Sequence, residues 1–214
     1  MKKKYTIAFL FDKKNNWISK YIKDSKILKN KKFSYEYFFD YKKIKNKDVV
    51  VILSYTKILP EYFIEKNKLN IVVHSSKLPK DRGFAPLTYQ VLRGENKIFN
   101  TLFKITKKVD QGPILMTNNF IINKTDLYQE LRLKQSLSII KLLTSFLNNY
   151  PKLIYKKQVG KSNFNIKRLP IDSELNIKKS LKSQFNLLRV CDNKNYPAFF
   201  NIYGKKFILK IYKN

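Results

Sequence analysis

One histidine, one cysteine, five glycines and fifteen acidic side chains are what this chain of 214 residues is short of. With a single thiol, Cys191, neither an internal disulfide nor a cysteine metal cluster can form, and the sequence predicts a cytoplasmic setting. No apolar run approaches the roughly 20 residues needed to cross a bilayer; "VVVIL" from Val49 to Leu53 is typical of those present. The opening "MKKKYTIAFLFDKK" has a basic start and a short apolar stretch, but it lacks a small-residue cleavage site and runs at once into Asp12 and two lysines. It reads as a first strand rather than a signal peptide. No G-x-G-x-x-G follows that strand, so nothing supports dinucleotide binding.

Basic residues are abundant: Lys and Arg total 45, and the formal net charge is +30. Yet Arg82, Arg93, Arg132, Arg168 and Arg189 are the only arginines, and the lysines are scattered rather than gathered in one block. Lys, Asn, Ile, Tyr and Phe are common together, the pattern that coding bias toward A and T produces. Arginine is the residue suited to bidentate phosphate and base recognition. Its scarcity argues against dedicated nucleic-acid binding, while the charge would attract any acidic ligand. An apolar content of 43% suffices for a real core, and the length suits one domain with a small appendage.

"YTIAFLF" (Tyr5 to Phe11), "FSYEYFF" (Phe33 to Phe39), "DVVVILSY" (Asp48 to Tyr55) and "LNIVVH" (Leu69 to His74) read as strands. Helical spacing of Trp17, Ile18, Tyr21 and Ile22 predicts a helix within "NWISKYIKDSKILKN". Strands alternating with helical connections predict an α/β fold, Rossmann-like, with a mostly parallel sheet. "PLTYQVLRG" reads as a short helix stopped at Gly94, and Asn100 to Ile122 as two strands broken by the turn signal "DQGP". A long amphipathic helix from Leu127 to Tyr150 ends at Pro151. The predicted division is a catalytic domain over residues 1–155 and a small β-rich C-terminal unit over 156–214. That unit holds one helix ("IKKSLKSQFNLLRV") and a hairpin turning at Gly204.

The lone histidine, His74, ends a strand, and in open α/β sheets ligands bind outside the carboxyl ends of the strands. A histidine there is either a hydrogen-bonded structural residue or a group that moves protons near neutral pH. From residue type and position alone both readings stay open. His74, Ser76, Leu78, Pro79, Arg82, Gly83 and Pro86, followed by Val109, Asp110 and Gly112, are ordered as HxS-x-LP-xx-RG-xxP and then "VDxG". This ordered set resembles the formyltransferases that use 10-formyltetrahydrofolate. "ILSYTKILP" is similar to that family's pterin-site segment, and "LPIDSELNIKKSLKSQFNLLRVCDNKNYPAFF" to the C-terminal module of its nucleotide-sugar N-formyltransferases.

The resemblance implies transfer of a formyl group from N10-formyltetrahydrofolate, without a metal, to a primary amine on a nucleotide-linked amino sugar. His74 is then the base that takes the amine proton, with Asp110 orienting or charge-stabilising it. The outside reading of Asp110 is a turn-forming Asp in "DQGP". Lys57, Ile58, Leu59, Lys107 and Val109 are implied to hold the folate; Ser76, Arg82, Gly83, Phe84 and Tyr89 are implied to meet the acceptor. One departure stands out: the family's usual Asn-x-His places an amide two residues before the histidine, where this chain has Val72. Asn70, four residues back on the same strand face, is the substitute candidate, but an ideal strand puts it roughly 13 Å away unless it bulges. Two further readings stay open: formylation of methionyl-tRNA, and a non-catalytic basic RNA-binding relative. On the favoured reading no nucleic-acid partner and no membrane insertion are expected, and a homodimer is left open.

Overall fold

A computed structural model describes residues 4–12, 17–25 and 29–214. Its centre is a six-stranded sheet made of β1 (Tyr5–Phe11), β2 (Phe33–Phe38), β3 (Val49–Leu53), β4 (Asn70–His74), β6 (Lys97–Lys104) and β7 (Ile114–Ile121), in the order β2-β1-β3-β4-β6-β7. The first four strands are parallel, and β6 and β7 close one edge antiparallel. The apolar runs explain this arrangement. Along β1 and β3 every second side chain enters a different core, Ile7, Phe9, Phe11, Val49, Val51 and Leu53 on one face and Ala8, Leu10, Val50 and Ile52 on the other. Strands covered on both faces are the signature of a parallel sheet between helical layers.

The first face is covered by α4 (Tyr128–Asn149), which buries Ile139, Leu142, Leu143, Phe146 and Leu147 along one stripe. Each such side chain contributes roughly 1.5–3 kcal/mol when fully buried. At its start Glu130 reaches back to accept the Leu127 N–H at 2.8 Å, satisfying a donor the first turn leaves open. The second face is covered by α2 (Glu61–Lys66), whose Phe63 packs with Leu59 and Ile44. The helix expected in the stretch after β1 is α1 (Ser19–Lys23); residues 13–16 and 26–28 of that stretch lie outside the described residues.

Beyond β4 the chain forms a loop, the two-residue strand β5 (Arg82–Gly83) and α3 (Pro86–Leu92). After α4 it returns to that loop: β8 (Phe164–Asn165) pairs parallel with β5, and α5 (Phe185–Val190) lies against α3 and α4. The hairpin of β9 (Ala198–Ile202) and β10 (Lys205–Leu209) follows. α5 is shorter than the expected C-terminal helix. Ahead of it, Gln184 spends its amide on Asn176 and Lys179, and Ser180 bonds Ser183, so local side-chain bonds replace helical ones.

The turn between β6 and β7 depends on a close approach. A Cβ placed on Gly112 would sit 1.6 Å from the Lys104 carbonyl oxygen. Gly112→Ala is therefore expected to push the turn off β6 and cost about 2 kcal/mol or more, roughly 4–8 °C in Tm. Thermal unfolding measures this, and an unchanged Tm would show that the turn moves freely.

Candidate active site

His74 lies at the carboxyl end of β4 and is buried, with 7% of its surface exposed. Its Nε2 is 2.6 Å from the Asp81 carbonyl oxygen. A carbonyl can only accept, so Nε2 carries the proton and Nδ1 is the nitrogen with the free lone pair. Nδ1 faces Asp110 Oδ2 at 3.8 Å, and that same oxygen accepts the Gly83 N–H at 2.7 Å. An imidazole held in this way can take a proton on Nδ1, and the imidazolium then faces a carboxylate.

Asp81 is positioned from two sides. Its backbone sits at φ +55°, a left-handed conformation that Asp tolerates better than most residues. Its carboxylate is buried and receives both terminal nitrogens of Arg93, at 3.0 and 2.7 Å, and the Asn163 amide at 3.1 Å. Burial alone would raise the carboxyl pKa, but the Arg93 and Asn163 hydrogen bonds and the Arg93 charge outweigh it and hold it below the usual value. Asn163 also accepts the Asp81 N–H at 2.9 Å.

Gln158 braces the other side. Its amide nitrogen donates to the carbonyls of Asp110 and Gly112, each at 2.9 Å, and its oxygen accepts from Arg82 at 2.7 Å. Asp110, at φ +52°, is thereby tied to both Gly83 and the C-terminal segment. Gly83 sits at φ +88°, and a Cβ there would lie 2.5 Å from the Asn165 carbonyl oxygen. Only glycine lets β5 and β8 pair this closely.

Behind the histidine, Ser75 is held by three elements. It donates to Asn100 on β6, accepts from Gln135 on α4, and its carbonyl accepts from Gln90 on α3, at 2.8, 2.6 and 2.7 Å. Asn100 continues to Ser138 at 2.9 Å. This floor is buried and polar, and its satisfied hydrogen bonds fix the end of β4 in place.

The remaining expected residues divide. Ile58 is 83% and Val109 47% exposed, so apolar surface stands open on the loops after β3 and β6. Lys107, on the loop after β6, pairs with Glu61 at the start of α2, and Lys57 is exposed on the loop that leads into that helix. Leu59 belongs to the core with Phe63, so only its backbone is on offer. Arg82, Phe84 and Tyr89 are half-buried; the Phe84 N–H and the Tyr89 hydroxyl donate to the carbonyls of Asn165 and Ile166. Ser76 is fully buried and its hydroxyl donates to Lys80 O at 2.7 Å, so it shapes the loop and presents no surface to an acceptor. Asn70 is corrected too: β4 pairs with β6 without a bulge, and the Asn70 amide donates to Ile64 O at 2.7 Å, away from His74. Asp81, Arg93, Gln158 and Asn163 were not singled out by the sequence.

The depressed Asp81 carboxyl has a stability consequence. Its contribution is complete above the ordinary carboxyl value, near about 4, and is lost as pH falls through the lower folded value. Asp81→Asn, which keeps the left-handed backbone accessible, is expected to lower stability most at neutral pH. The gap to wild type should close on acidification below about pH 4. Denaturant unfolding across pH measures the gap, and a gap independent of pH would mean the charge is immaterial.

The chain is similar to proteins of one family in sequence and in fold. The formyl transferase family model matches residues 2–138. The chain is 32% identical over 183 residues to a methionyl-tRNA formyltransferase of Caldicellulosiruptor saccharolyticus, covering 83% of this chain and 57% of that protein. It is 31% identical over 177 residues to the bifunctional polymyxin resistance protein ArnA of Wigglesworthia glossinidia brevipalpis, covering 80% of this chain and 27% of that one. The chain thus spans little more than half of one relative and about a quarter of the other. Among solved structures, a methionyl-tRNA formyltransferase from Clostridium thermocellum superposes with a TM-score of 0.83 at 20% identity, covering 97% of this chain and 92% of that one. A sugar N-formyltransferase from Shewanella sp FDAARGOS_354 superposes with a TM-score of 0.75 at 17% identity, covering 97% of each chain. Matched over more than half its length by the family model, the chain belongs to the formyl transferase family.

Proposed function

We propose that this chain transfers a formyl group from N10-formyltetrahydrofolate to the primary amine of a nucleotide-linked amino sugar. The observation that carries formyl transfer is the fixed imidazole: with Nε2 committed to the Asp81 carbonyl, Nδ1 is the base beside Asp110. When bound, the folate supplies an activated formyl group. The exposed apolar side chains of Ile58 and Val109 suit its ring system, with the Leu59 backbone beneath and Lys57 and Lys107 for its acidic tail. As the amine bonds to the formyl carbon, His74 Nδ1 takes the proton it sheds and Asp110 stabilises the charge so formed. That proton is returned to N10 of the donor as its bond to the formyl carbon breaks. Asp110 is kept in place by the Gly83 N–H and by Gln158. Arg82, Phe84 and Tyr89 line the approach of the acceptor.

The sugar reading draws on the similarity of the segment from Leu169 to Phe200 to sugar-modifying relatives, on the scarcity of arginine, and on the likeness in fold to the sugar N-formyltransferase. A second reading, methionyl-tRNA as acceptor, draws on the curated relative and on the +30 charge. Incubation with UDP- and dTDP-linked amino sugars and the formyl donor is expected to add one formyl group to one of them, read by mass spectrometry. Formylation of methionyl-tRNA alone would reverse the assignment.

Two kinetic outcomes accompany this. His74→Asn is expected to lower kcat by roughly 10²–10⁴, the range for a lost general base; retention of more than about a tenth of the rate would make the residue structural. The KM for the sugar substrate should rise less than about tenfold from roughly 50 to 200 mM salt, because a diphosphate engages few cations, whereas a nucleic acid would lose far more.

A further inference from the structure

Arg189 on α5 is the bulkiest side chain in the interior, 1% exposed, yet it makes no ion pair among the described residues. Its Nη1 donates to Asn123 O at 2.6 Å and its Nε to Asn186 Oδ1 at 3.0 Å. Nη2 has no protein acceptor among the described residues, and the residue borders a cleft of about 410 Å3. That size lies within the roughly 300–1,000 Å3 of small-molecule sites. Lys124, Lys182, Asn96, Asn186 and Phe185 also line it, and no carboxylate does.

The carboxylates nearby are committed elsewhere. Asp126 pairs with Lys134 at 2.5 Å and accepts the Asn123 N–H, and Glu95 pairs with Arg93. Burial pushes the Arg189 pKa down, against the pull of the Asp126 charge. A guanidinium stays charged even so, and a buried charge without a direct ion pair is costly. The cleft therefore combines one buried, incompletely bonded guanidinium, two exposed ammonium groups, two amides and one aromatic wall.

We propose that this cleft is a binding site for the phosphate group of a small molecule, seated on Arg189 between Lys124 and Lys182. Three cations with no carboxylate among the lining residues match a dianion, and the planar fork of arginine suits phosphate oxygens. Phe185 offers a face to the organic part of a phosphate ester. The site is distinct from the histidine. Asn96 precedes β6, and Thr101 on that strand is the partner of His74, so five residues of extended chain, about 17 Å, separate the two. The proposal is independent of formyl transfer.

Calorimetric titration of the full chain with inorganic phosphate tests it, in a constant chloride background of about 150 mM to screen diffuse attraction to the basic surface. One saturable site is expected, weakened roughly tenfold or more in the double variant Lys124→Ala/Lys182→Ala. Both lysines are exposed, so that variant keeps its fold. The control Lys42→Ala/Lys43→Ala, on the connection between β2 and β3 at the far edge of the sheet, is expected to bind as wild type does. Arg189→Gln, where its thermal unfolding is intact, should abolish the site. Competition by uridine monophosphate would identify an ester as the ligand, and binding of phosphate alone would identify the free ion. Uptake that never saturates, equal affinity in the Lys124→Ala/Lys182→Ala variant, or equal weakening in the control would overturn the proposal.

Discussion

One backbone carbonyl orients the buried imidazole at the end of β4. By accepting from Nε2, Asp81 settles which nitrogen of the only histidine is basic, and so the direction from which a proton can arrive. Nothing about an imidazole alone makes that choice, because its two tautomers lie close in energy and each nitrogen can serve. Everything else around the site works to keep that carbonyl still. The left-handed turn at Asp81 aims it, and Arg93 and Asn163 hold the side chain that would otherwise let the turn relax.

The sheet supplies the rigid part of this arrangement. β4 is covered on both faces and bonded on both edges, which leaves its last residue little freedom. Where the apolar core stops, at Ser75, a polar network takes over and ties the strand end to three separate elements. Such a network is stabilising only because its members are satisfied; a missing partner would leave a buried polar group at a cost of about 1–3 kcal/mol. Burial thus gives way to directed bonding at the point where position matters most.

Much of the frame was legible in the sequence because its signals are local. Apolar runs in β1, β3 and β4, helical spacing in α4 and the "DQGP" break between β6 and β7 each reflect a period or a turn within a few residues. His74 and Asp110 were legible through an ordered set of neighbours, and the structure brings them to 3.8 Å. What escaped has no local signature. Asp81 acts through a main-chain atom that every residue possesses, and Gln158 and Asn163 matter only because of distant partners. Gly83 and Gly112 stood in the motif without a reason until the carbonyls of Asn165 and Lys104 were found against them. Ser76 and Asn70 show the converse, polar residues in suggestive places whose side-chain donors are turned to the carbonyls of Lys80 and Ile64 rather than to the site.

The pairing of β5 with β8 sets the order in which the molecule can mature. Arg82 meets Gln158 across 76 positions, and Asp81 meets Asn163 across 82. Contacts so far apart must bear the entropy of closing a long loop before they return any stability. The sheet and α4 all lie upstream of Gln158, Asn163 and β8, so during synthesis they are made before the partners that complete this loop. The loop that shapes the histidine's surroundings is therefore a latecomer in folding, and a ribosome that has released only the sheet and α4 holds a nearly complete scaffold with an unfinished site.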